Sequence, residues 1–133
     1  KRFFIGKNFQ MHDYVQITAV KSVRICDNVL LASKIYISDC AHGSYVGDEN
    51  DSDPLLNPAD RPLSVKPVII EDNVWLGEFV SVLPGVTIGK GTIVGANSVV
   101  AKSLPSYVIA VGSPAKPIKF YNFESKRWEK YVN

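Results

Sequence analysis

Six aliphatic residues, Ile70, Leu76, Val82, Ile88, Val94 and Val100, stand six positions apart without a slip. The position after each is mostly small, with Gly77, Gly89, Gly95 and Ala101 beside Glu71 and Leu83. The position four after each is small or β-branched: Val74, Val80, Val86, Thr92 and Ser98. An amphipathic helix would repeat at i, i+3, i+4 and i+7, and a half-buried strand would alternate with period two, so neither accounts for a period of six. The pattern predicts a parallel β-helix in which each hexad forms one short flat side. The aliphatic residue points inward, its small neighbour permits the turn at the corner, and three hexads close one triangular coil.

The first half keeps the beat less cleanly, as Ile5, Met11 and Ile17 and then, two residues late, Ile25, Leu31 and Ile37, which predicts a bulged corner over residues 20–24. The rhythm stops over residues 43–66, G-S-Y-V-G-D-E-N-D-S-D-P-L-L-N-P-A-D-R-P-L-S-V-K, whose prolines, glycines and acids predict an excursion loop standing away from the prism. A loop this long in a compact domain points to function or to disorder. The chain leaves the coils over residues 106–133. Asn122 as N-cap, Glu124 in the first turn and an apolar stripe of Phe123, Trp128, Tyr131 and Val132 predict a strand followed by a short C-terminal helix. The expectation is one all-β domain over residues 1–133.

Composition narrows the function without choosing it. The 133 residues suit one domain, and 46% hydrophobic with 21% charged residues argues against disorder. No apolar run approaches the ~20 residues a bilayer span requires. A formal net charge of +2 is too small to argue for nucleic acid, although the cations thicken towards the C-terminus. Two cysteines, Cys26 and Cys40, without a signal-like segment fit a reducing cytoplasm better than a disulfide scaffold. The chain begins at Lys1 rather than a methionine and enters the repeat almost at once, which predicts that preceding sequence has been removed.

The stretch V-W-L-G-E-F-V-S-V-L-P-G-V-T-I-G-K-G-T-I-V-G-A-N-S-V-V-A-K-S-L-P, followed by A-V-G-S-P-A-K-P-I-K, resembles the hexapeptide-repeat acyltransferases with a left-handed β-helix. The segments I-S-D-C-A-H-G, R-P-L and K-F-Y-N-F-E-S-K-R-W-E narrow that likeness to bacterial polysaccharide or lipopolysaccharide O-acetyltransferases. The resemblance covers nearly the whole chain. It implies a homotrimer, acetyl-CoA lying in the groove between neighbouring prisms, and a sugar or glycan acceptor meeting the thioester near the excursion loop. No metal is expected.

Moving an acetyl group from a thioester to a hydroxyl needs a base for the hydroxyl proton and donors for the developing oxyanion. Histidine suits the first task, and His42 in S-D-C-A-H-G is the candidate. The resemblance also implies a histidine where this chain has Cys40. Residues i and i+2 of an extended segment share a face, so His42 is placed to take over that task; the competing reading has it merely stabilising the loop of a weakened or dead site. Cys40 reads either as a nucleophile or as a small, partly buried thiol, and Cys26 as no more than such a thiol. Asp39 either orients the histidine or the acceptor, or caps the turn.

For the cofactor, the resemblance puts Lys102, Lys116 and Lys119 near the phosphates of coenzyme A. It puts Gly77, Ala96 and Ala101 where the backbone passes the pantetheine arm, and Trp75 at the thioester end of the groove. Taken singly, each lysine reads as a solvated surface charge, and Trp75 reads equally as a residue burying area at a corner or subunit contact. The acidic run over residues 48–53 lacks the glycine and distal glutamate of an EF-hand loop. Two other functions compete: a catalytically silent trimeric β-helix that binds a glycan or organises partners, and a zinc carbonic anhydrase. The second needs about three histidine ligands, and the chain has only His12 and His42.

Overall fold

The computed structural model describes residues 2–132. Strands β1 (Phe3–Ile5), β2 (Gln10–Met11) and β3 (Gln16–Thr18) make the first coil, and β4 (Val23–Ile25), β5 (Leu30–Leu31) and β6 (Tyr36–Ser38) the second. Strands β7 (Cys40–His42) and β8 (Leu63–Val65) form an antiparallel pair at the root of the excursion loop. The third coil follows as β9 (Val68–Ile70), β10 (Trp75–Leu76) and β11 (Ser81–Val82), and the fourth as β12 (Thr87–Ile88), β13 (Ile93–Val94) and β14 (Val99–Val100). Strand β15 (Val108–Gly112) opens a further turn, and β16 (Ala115–Asn122) and β17 (Arg127–Lys130) fold back along it.

The coils stack into three parallel faces. Face 1 has the order β1-β4-β9-β12, face 3 the order β14-β11-β6-β3, and face 2 runs from β2 through β5, β10, β13 and β15 to the antiparallel β16 and β17. Ile25, Ile70 and Ile88 stack in one column, Leu31, Leu76 and Val94 in a second, and Ile37, Val82 and Val100 in a third. All nine are fully buried. Each such side chain contributes about 1.5–3 kcal/mol through burial, so the columns are the main stabilising feature. Ile5 and Met11 head the same columns but are exposed, because no coil lies beneath them among the described residues.

Two details correct the expectation for the corners. The residues in left-handed conformation lie three positions after each inward aliphatic, not one: Asn28, Lys34, Asn73, Phe79, Gly91 and Asn97 all have positive φ. The position directly after the aliphatic is small for a different reason, namely stacking. A Cβ on the buried Gly77 would lie 2.8 Å from the backbone nitrogen of Ala96 in the next coil. The offset in the first half is a bulged corner, as expected: Ile5 pairs with Ile25, twenty residues on, where Ile70 pairs with Ile88, eighteen on.

Among the described residues the expected C-terminal helix is absent, and β16 and β17 form a hairpin instead. Asn122 does cap, since its Oδ1 accepts from the Glu124 and Ser125 amides at 2.9 and 3.3 Å. Lys126 then takes a φ of 56° and its amide donates to the Asn122 carbonyl at 2.8 Å, closing a turn. Asparagine serves helix starts and tight turns by the same bond. The open edge of β16 decides the outcome, because the returning chain satisfies it with a ladder from Lys119↔Lys130 to Asn122↔Arg127. Of the expected helical stripe, Phe123 and Trp128 pack instead as edge-to-face aromatics with Tyr107 and Tyr121, while Val132 is exposed.

Candidate active site

The excursion loop leaves the prism at the corner between faces 3 and 1. Asp39 holds that corner together. Its buried carboxylate accepts from the amides of Val20, Lys21 and Ser22 at 2.9, 2.8 and 2.8 Å, in the bulge of the coil below. Burial alone would raise its pKa, but the backbone donors outweigh that and hold the carboxyl below its ordinary value. Its own carbonyl accepts from Lys66 at 2.8 Å, on the far side of the loop. Of the two readings of Asp39, the geometry supports the cap, since the carboxylate faces the bulge and its hydrogen bonds do not include His42.

From this anchor β7 and β8 project outward with Cys40 opposite Val65, Ala41 opposite Ser64 and His42 opposite Leu63. Cys40 and His42 therefore share one side of the pair. Cys40 is half-buried; its amide donates to the buried Ser38 Oγ at 3.1 Å, and the same Oγ lies 3.6 Å from the thiol. His42 is exposed, and its imidazole makes no hydrogen bond among the described residues. On the opposite side, Ala41 and Ser64 line a recess of about 300 Å³ with Ser44, Lys66, Leu83 and Ala101. This recess runs up the corner past the coil above.

The loop beyond β7 is ordered by its own polar side chains. Asp51 accepts from the Gly47 and Asp48 amides, Asp48 from Asn50, Asp53 from Leu55 and Asn57 from Ala59. The acidic run is thus a series of local turns. No group of three or more His, Cys, Asp or Glu side chains that could hold a metal ion occurs among the described residues. Cys26 lies apart, with Glu71, Asp72 and Lys90 around it, and burial pushes its thiol pKa up, reinforced by the Asp72 carboxylate.

The other expected site residues fall in two groups. Ala101 and Lys102 lie at the corner between faces 3 and 1, above the loop, with Ala101 in the recess and Lys102 exposed. Trp75 is exposed on the outer side of face 2, and Gly77 and Ala96 stack at that face's junction with face 3. Lys116 and Lys119 also belong to face 2, opposite Val111 and Ile109 on the hairpin extension. One outward row runs Trp75, Ile93, Ile109, Lys119, Lys130. At about 4.8 Å per strand, its four steps span about 19 Å.

In a triangular prism the corner between faces 3 and 1 is the edge farthest from face 2. One chain therefore does not bring His42 and the Trp75–Lys119 row together. Sequence reading missed Ser38, Tyr45, Arg61 and Lys66. Ser38 and Arg61 stand in segments singled out above without a role of their own; Ser38 bonds only two residues on, to Cys40, whereas Arg61, Tyr45 and Lys66 matter through partners brought near by the loop, which no local pattern announces.

A stacked prism of hexads with an ordered loop at one corner defines a class of protein, those built on a left-handed β-helix of hexapeptide repeats. Residues 67–102 match the bacterial transferase hexapeptide family model (six repeats). The chain is 48% identical to an Escherichia coli (strain K12) protein provisionally named a lipopolysaccharide biosynthesis O-acetyl transferase, over 96% of this chain and 65% of that protein. The fold matches the crystal structure of a maltose O-acetyltransferase from Clostridium difficile 630, with a TM-score of 0.76 and 33% identity over 90% of this chain and 59% of that one. A galactoside acetyltransferase in complex with coenzyme A matches with a TM-score of 0.72 and 28% identity over 98% of this chain and 74% of that one. Residues 67–102 carry the hexapeptide repeats of this transferase family, and the likeness to these relatives runs over most of the chain. It spans just under two thirds of the first of these relatives.

Proposed function

We propose that this chain is the catalytic domain of an acetyl-CoA-dependent O-acetyltransferase that modifies a sugar hydroxyl of a surface polysaccharide or its precursor in the cytoplasm. His42 is the general base. The observation that carries the reading is the split of the candidate residues between two opposite sides of one prism. A homotrimer with cyclic symmetry would set the His42 corner of each copy against face 2 of its neighbour and build three equal grooves. In such a groove the row from Trp75 to Lys119 offers an aromatic at one end and cations at the other, which suits an extended thioester with a phosphorylated tail. The sugar-modifying names of the relatives and the coenzyme A bound to one of them support the same class of reaction.

The chemistry follows from the base. The neutral imidazole takes the acceptor hydroxyl proton as its oxygen attacks the thioester carbonyl. Collapse of the tetrahedral intermediate breaks the carbon–sulfur bond, and the imidazolium returns the proton to the departing thiolate. Cys40, on the same side of β7, lies near this path without being needed for it.

The test is thiol release from acetyl-CoA with a panel of simple sugars. His42→Ala should lower kcat by roughly 10²–10⁴ with coenzyme A affinity unchanged. Cys40→Ala should be mild, and Cys40→His should keep or raise activity. An enzyme that tolerates His42→Ala but dies with Cys40→Ala would point to thiol chemistry. The exposed, unpartnered imidazole also admits a second reading, a silent trimeric scaffold, which predicts no thiol release with any acceptor.

A further inference from the structure

We infer that Arg61 and Tyr45 are positioning residues for His42, bracing the peptide that carries it; the inference rests on the reading of His42 as the base. The Tyr45 hydroxyl donates to the His42 carbonyl. The same hydroxyl accepts from Arg61 Nη1 at 2.9 Å, and the guanidinium carbon lies 5.9 Å from the centre of the Tyr45 ring. The rest of the guanidinium grips the far limb of the loop: Nε and Nη2 donate to the Leu56 carbonyl at 3.1 and 2.9 Å, and Nη2 to the Pro54 carbonyl at 3.1 Å. One side chain thus joins the descending limb of the loop, through Tyr45, to the peptide of the histidine.

Gly43 makes room for this arrangement. Its φ is 97°, and a Cβ there would meet the Tyr45 hydroxyl and Ser52 Oγ at 2.5 Å, so any side chain would push the tyrosine off the carbonyl. The Gly43 amide donates to the Pro62 carbonyl at 2.8 Å. The peptide between His42 and Gly43 is therefore held at both its oxygen and its nitrogen. The remaining polar side chains of the loop bond mostly within two to four residues of themselves and serve local turns. The Arg61–Tyr45 contact instead spans sixteen residues and ends on the one peptide that carries the imidazole. Fixing the exposed Tyr45 and the half-buried Arg61 costs conformational entropy, and the return is a base held in place: a general base works only within hydrogen-bond reach of its proton, and small displacements cost rate steeply.

Tyr45→Phe keeps the ring over Gly43 and removes only the hydroxyl. Its expected effect is a roughly tenfold fall in kcat, the scale of one lost hydrogen bond, with the KM for acetyl-CoA unchanged. Arg61→Ala should lose more, and Arg61→Lys should not restore the rate, because an ammonium cannot reproduce the fork. The experiment measures thiol release from acetyl-CoA, with simple sugars as acceptors, in wild type, Tyr45→Phe, His42→Ala and the double variant. Positioning predicts that Tyr45→Phe adds nothing once His42 is gone. An equal fall in both backgrounds, or a wild-type kcat in Tyr45→Phe beside a dead His42→Ala, overturns the inference and leaves the base intact. Full activity in His42→Ala overturns the base and the inference with it. Independently of turnover, amide hydrogen exchange at Gly43 should quicken in Tyr45→Phe; unchanged exchange would show that no brace exists.

Discussion

Replacing Asp39 by Asn changes one atom and should cost about 3–5 kcal/mol, an estimate built from the three amides its carboxylate satisfies. An amide side chain has a single acceptor oxygen. Placed where Oδ2 lies, that oxygen keeps the Lys21 and Ser22 amides, and the NH₂ group then confronts the Val20 N–H. One buried donor is left unsatisfied at about 1–3 kcal/mol, and the two surviving bonds lose the strengthening that charge gives, about 1 kcal/mol each. Against a total stability of about 5–15 kcal/mol this is a large fraction. The measurement is urea unfolding followed by tryptophan fluorescence, at one fixed protein concentration because assembly would contribute to apparent stability.

The pH dependence supplies a second readout with a defined sign. The folded carboxyl titrates below its ordinary value of 3.8, so its contribution is present above that value and is lost as pH falls through the lower folded one. Wild type and Asp39→Asn should differ fully at neutral pH and converge in strong acid. Turnover should fall as well, because loosening the bulge that the side chain holds frees residue 39, whose main-chain carbonyl, present in both proteins, ties Lys66 beside β8 to the same corner. A neutral-pH difference under about 0.5 kcal/mol would refute the capping role.

Changing Lys116 or Lys119 to Ala should weaken coenzyme A binding while leaving the fold intact, each charge-assisted phosphate contact contributing about 1.5–3 kcal/mol; calorimetry showing unchanged affinity in both variants would remove them from the groove. Light scattering should find three copies per particle at micromolar concentration. A stable monomer would leave the two halves of the proposed site apart and count against the shared groove.

What the sequence determined by itself is whatever repeats locally. The period of six from Ile70 to Val100 specifies inward columns, since each aliphatic meets its equivalent one coil away, and the two late residues before Ile25 announce the bulge. The histidine in S-D-C-A-H-G was legible as a candidate because its residue type and place at the end of the rhythm are local facts. The hairpin was not legible: Asn122 signals a cap with equal force for a helix and a turn, and only the open edge of β16 selects between them. For Asp39 the sequence left orienting and capping open, and the choice needed the fold, because its three donors lie seventeen to nineteen residues back, brought near by coiling. The same holds for the Arg61 fork and for the separation of His42 from the Trp75 row. Burial of apolar residues at a fixed period is written in the order of the chain, whereas a hydrogen bond between distant segments exists only once the coils have stacked and set those segments side by side.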